Sequence, residues 1–210
     1  MHHRDPAPRD PTSVPDDAAA SFLPQEDLRR LVDLLAQRSY REGDFVLASG
    51  ARSSFYLDAK QVTYHPEGLP LVARGVLDAV TPFHVRAVGG LTMGADPIVA
   101  GTVAICAQVG GPALTGFVVR KEPKGHGTGR WIEGVLEEGW PAAVLDDVVT
   151  SGGSSLKAVE RAREHGADVR AVVALVDRGE GGRETVEAAG LAYRAVTDLN
   201  EIRASYEAGR

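Results

Sequence analysis

Apolar positions along the chain change period several times, and each change marks an element. Over Pro24 to Arg38, Leu28, Leu31, Val32 and Leu35 share one face of a helix whose first turn suits Pro24. Gly43-Asp44 breaks that pattern. Phe45-Val46-Leu47 and Phe55-Tyr56-Leu57-Asp58 then read as two short strands around Ser49-Gly50-Ala51-Arg52-Ser53-Ser54, a hairpin-like pair. Helical spacing returns in Pro66 to Val80, through Leu69, Val72, Ala73, Val76 and Val80. Val85 to Val88 is a short strand, followed by Gly89-Gly90-Leu91-Thr92-Met93-Gly94-Ala95-Asp96-Pro97 and a nearly all-apolar run, Ile98 to Val109. That run predicts a helix buried between the sheet and its neighbours. Strands are expected at Leu114–Val119, Trp131–Leu136 and Ala142–Leu145. A helix carries Leu156, Val159 and Ala162 at three-residue spacing and stops at Gly166. Val169 to Val176 is a continuous apolar strand, as a parallel sheet buried on both faces requires. A loop at Gly179–Gly182, a short helix, a strand near Leu191–Val196 and a helix from Asp198 complete the chain.

Strands alternating with helices predict an α/β fold with a doubly wound, mainly parallel sheet flanked by helices. Ligands of such sheets bind outside the carboxyl ends of the strands. Three expected strands end in polar or glycine-rich turns, after Val88, Leu145 and Val176. One domain is expected over 21–210, with its early part, mainly 21–65, a small cap on the sheet. Residues 1–20 are rich in Pro, Asp, Arg and Ala and predict a disordered tail. His2 and His3 belong to that tail rather than to a metal site.

Charge narrows the partners. The chain has 210 residues and a formal net charge of −6, which argues against nucleic acid or an anionic membrane as partner. The lone Cys106 lies in an apolar run, reads as a buried packing residue and permits no internal disulfide. A reducing cytoplasm fits. No signal peptide and no apolar run of about 18 residues is visible.

The chemistry concentrates in Ala142 to Ser155, where an apolar strand presents Asp146 and Asp147 and then runs into Thr150-Ser151-Gly152-Gly153-Ser154-Ser155 and a helix. Glycines let backbone approach a ligand, and amides at a helix start converge on an anion. Thr150, Ser151, Ser154 and Ser155 add hydroxyl donors. Carboxylates repel phosphate but accept hydrogen bonds from vicinal hydroxyls and stabilise positive charge on a sugar ring. The combination points to a ribose 5-phosphate. A solvated Ser/Gly turn is the bland alternative; neither a Walker loop nor GxGxxG is present. Arg120-Lys121-Glu122-Pro123-Lys124-Gly125-His126-Gly127-Thr128-Gly129-Arg130 is the densest basic run in an acidic chain. Read as a mobile loop, it suits a departing polyanion such as pyrophosphate, with His126 able to donate a proton. Taken alone, Asp177-Arg178 could be a strand-end ion pair, Lys60 a solvated lysine and Asp58 a turn cap. His65, His84 and His165 carry no metal spacing, and Trp131 and Trp140 read as packing residues.

The Ala142–Ser155 stretch resembles the phosphoribosyl-pyrophosphate (PRPP) motif of type I phosphoribosyltransferases. Arg120 to Gly127 followed by Ile132-Glu133-Gly134 is similar to the catalytic loop of orotate phosphoribosyltransferases. Ser49-Gly50, Ser53, Phe55-Tyr56, Asp58 and Lys60 resemble that family's substrate-binding hood, and Arg178 stands where it keeps an arginine. The match runs from about Phe45 to Asp198. It implies transfer of ribose 5-phosphate from PRPP to N1 of orotate, giving orotidine 5′-monophosphate and pyrophosphate. It also implies Mg²⁺ carried mainly by PRPP or pyrophosphate, and a homodimer whose basic loop reaches the partner's site. Lys121, Lys124, His126, Asp146 and Asp147 would be the catalytic set, with Arg120 beside it. Val148 and Val149 precede Thr150, Ser151, Gly152, Gly153 and Ser154, which would cradle the 5′-phosphate. Thr92 and Met93 would lie in the pyrophosphate loop, Tyr56 and Leu57 against the pyrimidine, and Arg178 on its carboxylate. Departures are Ala48 and Met93, where some relatives carry lysines, and an extra residue at Asp96. Two other readings stay open: a PRPP-sensing regulator without catalysis, and the same transfer to another base, for which Arg178 would have no carboxylate.

Overall fold

The computed structural model describes residues 21–46, 50, 52–123 and 130–210. The expected tail, Leu47, Ala48, Ser49, Ala51 and the loop residues Lys124 and His126 lie outside them. A central sheet of six strands has the spatial order β5-β4-β3-β6-β7-β8. These are β3 (Ala87–Leu91), β4 (Thr115–Val119), β5 (Ile132–Gly134), β6 (Pro141–Val149), β7 (Asp168–Asp177) and β8 (Ala192–Asp198). All neighbours are parallel except β5, which closes one edge antiparallel to β4.

Alternation along the inner strands assigns their side chains to two cores. Ala143, Leu145, Ala171, Val173 and Leu175 face a cluster with Leu31, Val72, Val76, Ile98 and Ile202. Those partners belong to α1 (Gln25–Leu34), α3 (Gly68–Val80), α4 (Asp96–Gln108) and α7 (Leu199–Ala208). Ala142, Val144, Val172 and Ala174 face the other way, onto Ala158, Val159, Ala162 and Val186 of α5 (Gly153–Glu164) and α6 (Gly182–Ala188). A strand covered on both faces needs apolar residues at every position, which is the pattern of β7 from Ala171 to Val176.

Element types follow the sequence reading, with differences at particular places. The helix from Gln25 ends in a π turn over Leu35–Ser39. A four-residue helix, α2 (Lys60–Thr63), has no apolar period to announce it. The hairpin is real: β1 (Tyr40–Val46) pairs antiparallel with β2 (Arg52–Leu57). Gly43-Asp44 does not end a segment there but lies inside β1, where the register slips between Glu42 and Phe45 and the extra residue makes a bulge. The expected burial of α4 holds on one face only. Ile98, Val99, Thr102 and Cys106 are buried, whereas Ala100, Ala104 and Ala107 are exposed. Alanine is apolar enough to mimic a core position in a sequence and small enough to stand in water. Cys106 is buried as expected, and burial pushes its thiol up. Among the described residues no helix is long and apolar enough to cross a membrane.

The cap is tied to the end of the chain. Arg203 Nε donates to the Tyr40 hydroxyl (3.3 Å), Tyr206 packs edge-on to the Tyr40 ring (5.0 Å) and Arg210 pairs with Glu42 (2.8 Å). Tyr40 stacks in turn on Phe55 at 5.8 Å.

Candidate active site

The strand order reverses between β3 and β6, so the loops that leave their carboxyl ends diverge and open a crevice. One wall is Thr92 to Ala95, between β3 and α4; the other is Thr150 to Gly152, between β6 and α5. Arg120 and Lys121 emerge at the same edge, because Leu91 lies opposite Val119 in parallel register.

The acidic pair is not at the end of β6 but inside it, because the strand continues through Val148 to Val149. Successive side chains on a strand point to opposite faces, and the two carboxylates part accordingly. Asp146 turns toward α5 and accepts a hydrogen bond from Ser155 Oγ at 2.6 Å. Burial raises its carboxyl to about 6; the Ser155 bond opposes that shift and the neighbouring Asp147 charge adds to it. Asp147 faces the opposite wall. A Cβ on Gly94 would collide with its Oδ1, so only glycine lets the 92–95 loop lie this close. Its Oδ2 is 3.8 Å from Lys60 Nζ, which also pairs with Asp58 at 2.7 Å. The Asp58 bond and the charge of Asp147 raise the Lys60 ammonium against the opposing effect of burial.

Lys60 is therefore no solvated lysine: it links the cap to the acidic strand. Asp58 does cap a turn, accepting from Lys60 N–H (3.1 Å), and holds this ammonium as well. Ser155 is a correction of another kind. Expected as a donor to phosphate, it is 1% exposed and committed to Asp146, in the first turn of α5.

The 150–153 turn has the form of an anion cradle. Gly152, at φ +81°, precedes α5 in the left-handed region, and no side chain caps the helix start. Its first N–H groups and the positive end of the helix dipole are thus left for a ligand. Gly153 and Ser154 are exposed at that start, as is Ser151, while Thr150 is partly buried. On the other wall the Thr92–Met93 peptide bond is cis, and Met93 is 64% exposed. Thr92 N–H donates to Val119 O (2.9 Å) and its hydroxyl to Asp96 Oδ2 (2.7 Å). The residue that looked like an insertion thus anchors the loop from the first turn of α4.

Arg178 leaves β7 beside Val149, whose carbonyl accepts its N–H at 3.0 Å. Its guanidinium does not pair with Asp177, which instead accepts Gly179 N–H at 2.8 Å. It lies over the Phe55 ring at 4.8 Å, and Arg203 lies over the same ring at 4.5 Å. Phe55, expected in the hood but not assigned to the base, is thus a cap residue that meets Arg178. Leu57 packs on the same core, whereas Tyr56 is on the other face of β2, 46% exposed and 5.7 Å from Phe45. Alternation along β2 was the available signal. Arg120 pairs with Glu133 at 3.6 Å, and Lys121 is exposed. The structure therefore brings Thr92, Met93, Asp146, Asp147, Thr150–Ser154 and Arg178 to one edge with Arg120 and Lys121, and turns Tyr56 away from Arg178.

No family model matches the chain. It is 46% identical over 180 residues to the orotate phosphoribosyltransferase of Nostoc sp., covering 85% of this chain and 86% of the other. It is 46% identical over 181 residues to the orotate phosphoribosyltransferase of Aquifex aeolicus, covering 86% and 98%. Among solved structures, the Mycobacterium tuberculosis orotate phosphoribosyltransferase in complex with Fe(III) dicitrate superposes with a TM-score of 0.75 at 35% identity, covering 84% and 98%. The PRPP complex of that enzyme gives 0.70 at 31%, covering 84% and 99%.

Proposed function

The chain belongs to the orotate phosphoribosyltransferase family, and from that premise we propose how its residues divide the reaction. The protein transfers ribose 5-phosphate from PRPP to N1 of orotate. The bond from C1′ to a pyrophosphate oxygen breaks, the N1–C1′ bond forms, and the N1 proton is lost. The observation that carries the assignment of roles is the crevice between β3 and β6, with an uncapped helix start on one wall and Asp147 against Gly94 on the other.

The 5′-phosphate binds the amides and hydroxyls of Thr150 to Ser154, with Val148 and Val149 delivering the loop from the strand. Asp147 accepts from the ribose hydroxyls and stabilises the oxocarbenium-like transition state as C1′ loses its leaving group. Asp146, turned to α5, supports the same charge from behind the strand. Met93 and Gly94 receive the pyrophosphate through backbone amides, since the Thr92 amide is already committed to Val119 O. Lys121, Lys124 and His126, with Arg120 beside them, neutralise charge that grows on the departing oxygens, a contribution made only in the transition state. Arg178 pairs with the carboxylate of orotate, and the base packs toward Phe55 and Leu57; Tyr56 borders the entrance.

Mg²⁺ would be held mainly by pyrophosphate and ribose oxygens, with Asp147 the carboxylate this chain could add. Among the described residues no group of three or more His, Cys, Asp or Glu side chains converges. When bound, Mg²⁺ neutralises charge on the pyrophosphate. A homodimer with shared active sites follows from the family likeness. The exposed Ala100, Ala104 and Ala107 of α4, next to the pyrophosphate loop, offer a smooth face for it. A cytoplasmic location suits the lone cysteine and the water-soluble substrates.

The test mixes protein, Mg²⁺, PRPP and orotate and follows the loss of orotate absorbance, with uracil, adenine and hypoxanthine in parallel. Consumption of orotate alone is the expected result; turnover of a purine, or of nothing, would overturn the reading.

A further inference from the structure

Arg178 has a partner before any substrate arrives. Its Nη2 lies 2.6 Å from Glu180 Oε1, with the arginine side chain 14% exposed and the glutamate 46% exposed. Its Nε is buried with no hydrogen-bond partner among the described residues. Glu180 can fold back over a residue only two positions away because Gly179 (φ +68°) and Gly181 (φ +86°) flank it in the left-handed region. The first of these is pinned by Asp177 Oδ1. The chain therefore carries a nearly buried cation, only partly satisfied, with a half-exposed carboxylate resting on its outer end.

We propose that Glu180 is a resident stand-in for the carboxylate of the incoming base, keeping Arg178 paired in the empty site and yielding when that carboxylate arrives. The inference rests on the reading above that Arg178 binds the base's carboxylate. The two partners differ in what separation costs them. Glu180 can return to water, where an exposed ion pair is worth little. Arg178 cannot, because a buried charge left alone is expensive. A planar guanidinium facing a rigid planar carboxylate can make two parallel bonds and use donors that Glu180 leaves idle. A neutral base brings nothing to exchange for Glu180. The residue thus sets specificity: every base meets the same resident carboxylate, and only a carboxylated one replaces it.

Competition of this kind multiplies apparent affinity by the fraction of Arg178 that is free. The experiment compares wild type with Glu180→Gln and Glu184→Gln, the second removing the same charge from the neighbouring helix α6. The readouts are KM for orotate at saturating PRPP, KM for PRPP, and the calorimetric Kd of orotidine 5′-monophosphate. In Glu180→Gln, the orotate KM and the nucleotide Kd should fall about twofold to fivefold, as loss of a half-exposed pair allows. PRPP should be unaffected, and Glu184→Gln should change neither. An orotate KM that stays or rises in Glu180→Gln makes Glu180 a support for Arg178 and overturns the proposal. So does an equal fall in Glu184→Gln, which would mark a general field effect. If wild type fails to consume orotate with PRPP, the underlying reading of the site has failed instead.

Discussion

Asp146 and Asp147 are chemically identical neighbours with different surroundings, and the difference is testable. Burial lifts the Asp146 carboxyl from 3.8 to about 6. Below about pH 4 both folded and unfolded chains hold this proton. As pH rises toward 6 the unfolded chain releases it first, so stability falls across that window and levels off above it. At about 1.36 kcal/mol per pH unit the loss is on the order of 2–3 kcal/mol. Asp146→Asn should flatten the slope, read as the difference in Tm between pH 4.5 and 7.5 in the two proteins. Asp147→Asn should leave Tm nearly unchanged and lower kcat on the order of 100-fold, the scale of one lost transition-state contact; near-normal turnover would contradict its ribose role. Arg178→Ala should raise the KM for orotate at least about tenfold, the cost of a charge-assisted hydrogen bond, and the KM for PRPP far less; equal effects would count against carboxylate pairing. That these side chains stand out was legible in the sequence, because carboxylates after an apolar strand and a cation after another are rare where water is excluded. Which way each faces was not. It depended on β6 continuing two residues beyond the acids and on Ser155 turning inward, and both are tertiary facts.

At the scale of elements, the turn from β6 into α5 is the most constrained piece. Gly152→Ala would force a Cβ into the left-handed region and to 3.0 Å from Gly182 O. A cost of about 1–2 kcal/mol is expected, with a KM for PRPP raised more than that for orotate, seen by calorimetry and steady-state kinetics. Periodicity located this helix and the buried β7 well, since one repeats on a face and the other is apolar from Ala171 to Val176. It misjudged α4, whose outer alanines are indistinguishable by hydropathy from inner ones. It was silent on α2, too short for a period, and it took Gly43-Asp44 for a break where the chain makes a bulge.

For the whole molecule, alternation of strands and helices was enough to predict the layered sheet, and turn composition was enough to choose the edge where its crevice opens. The reversal between β3 and β6 was not visible, because strand order is decided by which helices cover which face. The proposed shared site makes a prediction at this scale. Dimers mixed from Lys124→Ala and Asp147→Asn subunits, each inactive alone, should recover about a quarter to a half of wild-type turnover, because one of the two sites then has both residues intact. No recovery would confine the basic loop to its own subunit.

The cap proposed to take the base is not held by the sheet alone. Tyr40 is gripped by Arg203 and Tyr206, Arg210 reaches Glu42, and Tyr40 supports the Phe55 ring beneath Arg178. The carboxyl-terminal helix is thereby a splint for the proposed pyrimidine pocket. Residues that never meet a substrate set how firmly it is gripped, and shortening the protein from that end would soften recognition before it disturbed the sheet.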